Sequence, residues 1–196
     1  MIVIIDYGAG NLQSVKNALD RLGVPSVITD EREVILKADK VIFPGQGHFG
    51  ACVTALKEKG LFEVIREVAC TKPFLGICLG MQLLFETSEE AVGISGLGIL
   101  KGEVKKFSPG QKLPQMGWNR VQSNDTERLD GAFYYFAHSY FCIPEDEECI
   151  LARGFYGESF VCAVAKGQLL AVQFHPEKSG SEGMKILESF VRGTTC

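Results

Sequence analysis

Short apolar, β-branched runs alternate with helix-length amphipathic stretches through the first half of the chain, the pattern of parallel strands joined by crossover helices. Residues 2–6 read as a first strand, and residues 12–22 carry apolar side chains at helical spacing before Gly23, a residue suited to end a helix. Residues 24–29, 40–43 and 74–78 supply three more strands, with the helices before the last drawn from residues 52–69. Strands apolar on both faces belong inside a sheet covered on both sides. From about Leu97 the texture changes to short strands broken by Pro and Gly, over 102–107, 116–122, 133–141, 149–155, 160–166 and 169–174, before a closing helix over 181–191. The expected fold is therefore α/β: a doubly wound, mainly parallel sheet with helices on both faces and an added antiparallel part in the second half. No repeat, low-complexity tract or linker divides the 196 residues, so one domain spanning 1–196 is expected, long enough to bury roughly 70% of its extended surface.

Composition removes several functional classes. Twenty Lys and Arg are scattered without a run, and the net charge is −4, so no electrostatic footprint for nucleic acid is present. Apolar stretches are strand-sized, short of the ~20 residues of a membrane span. The opening Met1-Ile-Val-Ile-Ile-Asp6 has neither a basic leader nor a small-residue cleavage site and reads as a first strand, so a cytoplasmic protein is expected. Seven cysteines without Cys-x-x-Cys spacing, and His48, His138 and His175 outside any ligand pattern, predict neither a disulfide framework nor a metal site. Gly8-Ala-Gly10-Asn11 follows a strand, but Gln13 stands where a dinucleotide fingerprint needs its third glycine, so no nucleotide cofactor is expected.

The segment richest in chemistry is Pro73-Phe-Leu-Gly-Ile-Cys78-Leu-Gly-Met-Gln82, an apolar strand running through Gly-x-Cys-x-Gly into a helix. This is the spacing of a nucleophile elbow, where small neighbours allow a strained backbone to present the reactive side chain. The helix N-terminus favours a thiolate at Cys78, and the N–H of Leu79 falls where an oxyanion would form. A cysteine packed in a core between two glycines fits the same spacing. Gln173-Phe-His175-Pro-Glu177 supplies a base: His175 leaves a strand end, Pro176 stiffens the turn, and Glu177 stands where it can orient the imidazole. A third segment, Pro44-Gly45-Gln46-Gly47-His48, sets glycines on either side of one residue, as a second oxyanion donor on Gln46 or Gly47 requires. A tight turn would use the same glycines, and His48 reads as a loop residue.

Gly76-Ile-Cys-Leu-Gly-Met-Gln82 combined with Gln173-Phe-His-Pro-Glu177 resembles the triad-type, class I glutamine amidotransferases, and the resemblance extends throughout the chain. Asp6-Tyr-Gly-Ala-Gly-Asn11, Pro44-Gly-Gln-Gly47, Met116-Gly-Trp-Asn119, Phe136-Ala-His-Ser-Tyr140 and His175-Pro-Glu-Lys-Ser-Gly180 are similar to the branch of glutaminase subunits of imidazole glycerol phosphate synthase. Gln46 departs from the Val of that branch, and His48 from a smaller residue. The resemblance implies a Cys78–His175–Glu177 triad that releases ammonia from glutamine, with substrate held by Gly45, Gln82, Glu90, Ser139 and Tyr140. It also implies a partner, a barrel-type cyclase that uses the ammonia in histidine biosynthesis, docked on Asn11, Met116, Trp118, Asn119 and Lys178. A paralogue feeding another synthase, such as a sugar-amidating enzyme, would keep every glutaminase motif, and a stand-alone cysteine hydrolase would use the same elbow and imidazole.

Overall fold

In the first strand, β1 (Ile2–Ile5), successive side chains enter opposite cores. Val3 and Ile5 pack with α2 (Arg32–Leu36), α3 (Phe49–Glu58) and α4 (Phe62–Thr71), while Ile2 and Ile4 pack with α1 (Leu12–Arg21) and α6 (Gly180–Arg192). The computed structural model describes residues 1–123 and 129–193; Cys196 lies outside them. The same alternation runs through β3 (Lys40–Gly45), β4 (Phe74–Cys78) and β12 (Leu169–Val172). With β2 (Ser26–Thr29), these strands form a parallel sheet in the order β2-β1-β3-β4-β12, as the period-2 pattern with two covered faces requires.

The remaining strands are β5 (Thr87–Ser88), β6 (Gly102–Lys106), β7 (Gln115–Gln122), β8 (Phe133–His138), β9 (Tyr140–Pro144), β10 (Ile150–Tyr156) and β11 (Glu158–Lys166). Beyond β12 the sheet continues antiparallel through β11, β10, β7 and β8, with β9, β6 and β5 branching from β11. Mixed topology of this kind matches the expected fold class.

Two local expectations are corrected, and one short helix has no counterpart among them. The single strand expected over 133–141 is two strands, because His138 Nδ1 bonds the carbonyl of Tyr140 at 2.7 Å and the chain changes partners there, from β7 to β6 and β11. The helix expected behind Cys78 is a single turn, α5 (Leu79–Gln82). The carbonyls of Leu83, Leu84 and Phe85 accept instead from Leu97, Ile99 and Gly98 of a returning segment. Finally, α2 carries no pattern strong enough to foresee, its buried residue being Ile35.

Candidate active site

Three adjacent parallel strands end at one place. Gly45 of β3 is the register partner of Cys78 at the end of β4, and Val172 of β12 is the partner of Ile77. Loops at the C-terminal ends of β3, β4 and β12 therefore converge, the position where open α/β sheets bind ligands. Cys78 has φ 55°, ψ −115°, alone among described non-glycine residues in having a positive φ. Such strain persists only where the surroundings impose it. Here they do: a Cβ on Gly80 would stand 1.9 Å from the Phe43 carbonyl oxygen, and one on Gly76 3.0 Å from Ala171 Cβ.

His175 follows β12 and is pinned by backbone. Its N–H donates to the Tyr135 carbonyl at 2.9 Å, and its own carbonyl accepts from Ser179 Oγ at 2.6 Å. Pro176 opens a 3₁₀ turn, Pro176–Lys178, that swings Glu177 back so that Oε1 lies 2.8 Å from His175 Nδ1. Both side chains are buried, at 6% and 1% exposure, which gives this contact far more weight than a surface pair. Burial on its own depresses the imidazole pKa, but the hydrogen bond and charge of Cys78, joined by those of Glu177, outweigh it and raise His175 to about 10. With Nδ1 committed to the carboxylate, the other ring nitrogen is left for the thiol. An imidazole so held can carry the proton that the sulfur gives up.

A cavity of about 190 Å³ opens over the sulfur. Gln46, Gly47 and Leu79, the residues predicted to meet an oxyanion, line it, and so do Gln82, Glu90, Ser139 and Tyr140, predicted to hold substrate. Gly45 does not: its backbone is packed against Leu79 and Gly80, where a Cβ would lie 2.5 Å from the Gly80 nitrogen, so its part in the site is close packing beneath the cavity. Glu90 Oε2 accepts from the Phe49 N–H at 2.7 Å, which fixes the carboxylate at the cavity wall. His48 caps α3, Nδ1 accepting from Gly50 N–H at 3.1 Å. Two cavity neighbours were not foreseen as site residues. His138 is buried, and Gln173, fully buried, places Nε2 3.7 Å from Cys78 Sγ. Among the described residues no group of His, Cys, Asp and Glu could hold a metal ion, and no helix is long and apolar enough to cross a membrane.

The five expected docking residues divide. Met116 and Trp118 are 66% and 57% exposed, and the Trp118 ring meets Tyr135 edge-on at 6.3 Å. Lys178 Nζ lies 5.9 Å from the centre of that same Tyr135 ring, so a cation and two aromatic rings run from the cavity rim to the outer face. Asn11 and Asn119 are turned to structural ends: the first accepts from Ser14 N–H as the cap of α1, and the second donates to the Phe155 carbonyl. Exposed Phe133 and Phe155 add apolar surface that the sequence did not single out.

The family model described as glutamine amidotransferase class-I matches residues 3–193. The imidazole glycerol phosphate synthase subunit HisH of Moorella thermoacetica is 48% identical over 195 residues, covering 96% of this chain and 93% of that protein. HisH of Methanocaldococcus jannaschii is 48% identical over 197 residues, covering 97% and 98%. A crystal structure described as a glutamine amidotransferase superposes with a TM-score of 0.79 at 22% identity, covering 98% of each chain, which is a likeness of fold.

Proposed function

Because the chain belongs to the class I glutamine amidotransferase family, we propose that it is the glutaminase subunit of imidazole glycerol phosphate synthase, with residues 1–196 acting as one cytoplasmic domain. The observation that carries the reading is the strained Cys78 sharing one cavity with His175, whose ring is paired with the buried Glu177 carboxylate. The sulfur attacks the carboxamide carbon of glutamine while His175 holds the thiol proton. The tetrahedral oxyanion is met by the N–H of Leu79 and by one from the Gln46–Gly47 loop; one such donor contributes ~3–4 kcal/mol. His175 then protonates the departing nitrogen, which leaves as ammonia with cleavage of the C–N bond. Water attacks the resulting thioester, yielding glutamate and the free thiol.

Glu90 and the free Oε1 of Gln82 take the α-amino group of glutamine, and the backbone of Ser139 and Tyr140 takes the α-carboxylate. No cofactor enters these steps. The ammonia passes to a barrel-type cyclase bound as the other half of a heterodimer, on the face of Met116, Trp118 and Lys178. There it is added to a phosphoribulosyl intermediate, the lyase half-reaction of histidine biosynthesis. The test is reconstitution with the cyclase, its phosphoribulosyl substrate and glutamine. Formation of imidazole glycerol phosphate supports the assignment; glutaminase activity that couples only to a different synthase replaces the partner, and no glutamine hydrolysis with any synthase removes the reading.

A further inference from the structure

The carbonyl oxygen of Tyr140 receives two side-chain contacts, from His138 Nδ1 at 2.7 Å and from Gln82 Nε2 at 2.9 Å. A backbone carbonyl only accepts, so both must be donors. That fixes His138 as the Nδ1–H tautomer, consistent with burial depressing its pKa to about 4 and keeping the ring neutral. It also fixes which end of the Gln82 amide is nitrogen. The second hydrogen of that nitrogen points to Gln173 Oε1 at 2.9 Å. Gln173 is wholly buried and cannot flip without setting two N–H groups against each other, so its Nε2 must face Cys78 Sγ, 3.7 Å away.

We propose that Tyr140 O, Gln82 and Gln173 form an oriented relay that presents an amide N–H to the Cys78 sulfur, Gln173 acting on the reacting atom and Gln82 as its positioning residue. The relay takes over a task that the single-turn α5 is too short to perform with a helix dipole, since it supplies a fixed donor beside the sulfur from buried side chains. It also restricts what Gln82 can offer a bound ligand. Both hydrogens of its nitrogen are engaged, and only Oε1, an acceptor, remains. The inference rests on Cys78 being the nucleophile.

The test uses Gln173→Leu, which removes the donor, and Gln82→Glu, whose carboxylate needs a donor from Gln173 and so turns the Gln173 oxygen toward the sulfur. In the complex with the cyclase, Gln173→Leu should lower kcat for glutamine hydrolysis at least about tenfold, as for a lost hydrogen bond to a charged group, with KM within twofold. On the chain alone, the pH dependence of alkylation of Cys78 by iodoacetamide, followed on the Cys78 peptide, should move to higher pH in both variants. The double variant should be no worse in alkylation than Gln173→Leu, because both changes break one relay. Circular dichroism establishes that each variant folds, and if Gln173→Leu does not, Gln82→Glu carries the test. Unchanged alkylation profiles in the folded variants, or additive losses in the double variant, overturn the relay. Loss of the glutaminase reading would show separately, as a wild-type complex that does not hydrolyse glutamine while the alkylation shift persists.

Discussion

Gly45 and Gly80 are packed backbone to backbone, so closely that a methyl group on Gly45 would enter the main chain of α5 and one on Gly80 the main chain of β3. The contact ties the end of β3 to the elbow and holds Cys78 in its positive-φ conformation. It is the reason that two glycines 35 positions apart, Gly45 and Gly80, serve a single site.

Gly80→Ala should therefore lose roughly 3 kcal/mol of stability, on the order of 10 °C in Tm, together with the glutaminase activity. Gly47→Ala meets no atom within 4 Å and faces only the strain of φ +106°, so it should lose about 1–2 kcal/mol. Thermal unfolding of the two variants gives the comparison; equal losses would show that close approach is not what holds the elbow.

Cys78→Ala should abolish glutamine hydrolysis, because Cys78 is the thiol that couples to the His175 ring at the cavity floor. The complex carrying this variant should still make product when given ammonium salts, since the cyclase half is untouched. Measuring both rates separates loss of chemistry from loss of assembly. Appreciable glutamine-dependent turnover by the variant would remove Cys78 from the reaction.

The parts of this site that the sequence shows plainly are those encoded by neighbours. Apolar runs at 40–43 and 74–78 place β3 and β4, and Pro176 next to His175 explains how a carboxylate two residues on can reach back to the ring. Bonds between distant side chains leave no such trace. Gln82 and Gln173 are 91 residues apart, and neither position shows that one amide orients the other. The break at Ser139 was hidden for a related reason. It depends on His138 bonding the Tyr140 carbonyl, whereas the residues themselves have the pattern of one uninterrupted strand.

His138 gives a pH prediction with a definite sign. Burial, the largest influence, depresses its pKa from 6.5 to about 4. Between those values the unfolded chain binds a proton that the folded chain excludes, so the protein is fully stable in this respect above pH 6.5 and loses stability as pH falls toward 4. The loss amounts to roughly 3 kcal/mol. His175 acts on the alkaline side: its pKa is raised to about 10, so its contribution is complete below pH 6.5 and disappears as pH rises through 10. Denaturant unfolding across pH 4–7 should show a shallower acid limb for His138→Gln. Parallel curves for variant and wild type would assign the acid loss to other groups.

On the outer face, Trp118→Ala and Lys178→Ala should each weaken binding of the cyclase by about 1–3 kcal/mol with little effect on the fold, since Trp118 is more than half exposed and Lys178 is exposed. Phe155→Ser tests how far the surface extends, being 67% exposed beyond the expected residues. Titration calorimetry reads all three. If affinity and ammonia transfer survive both Trp118→Ala and Lys178→Ala, the docking face lies elsewhere.

The loop after β3 is built to hold more than one orientation. Gln46 and Gly47 are exposed at the cavity rim, yet the Gln46 carbonyl is reached from below by Cys52 Sγ at 3.7 Å. That weak contact favours the present orientation of the Gln46–Gly47 peptide, and a peptide plane that must rotate to aim an N–H at the oxyanion would be held back by it. An unpartnered glutaminase would consume glutamine to no purpose, whereas a loop with two orientations lets partner binding select the active one. The isolated chain should accordingly hydrolyse glutamine very slowly, gaining on the order of 10²–10³ in rate when the cyclase binds its own substrate, the scale of one oxyanion donor. Cys52→Ala should raise the partner-free rate a few-fold, as expected for losing one weak hydrogen bond of about 1 kcal/mol, and should leave the fully stimulated rate unchanged. Initial rates for the chain alone, with the cyclase, and with the cyclase and its substrate decide the matter. Equal rates in all three would mean that the hole is complete from the start and that Gly47 serves only to turn the chain.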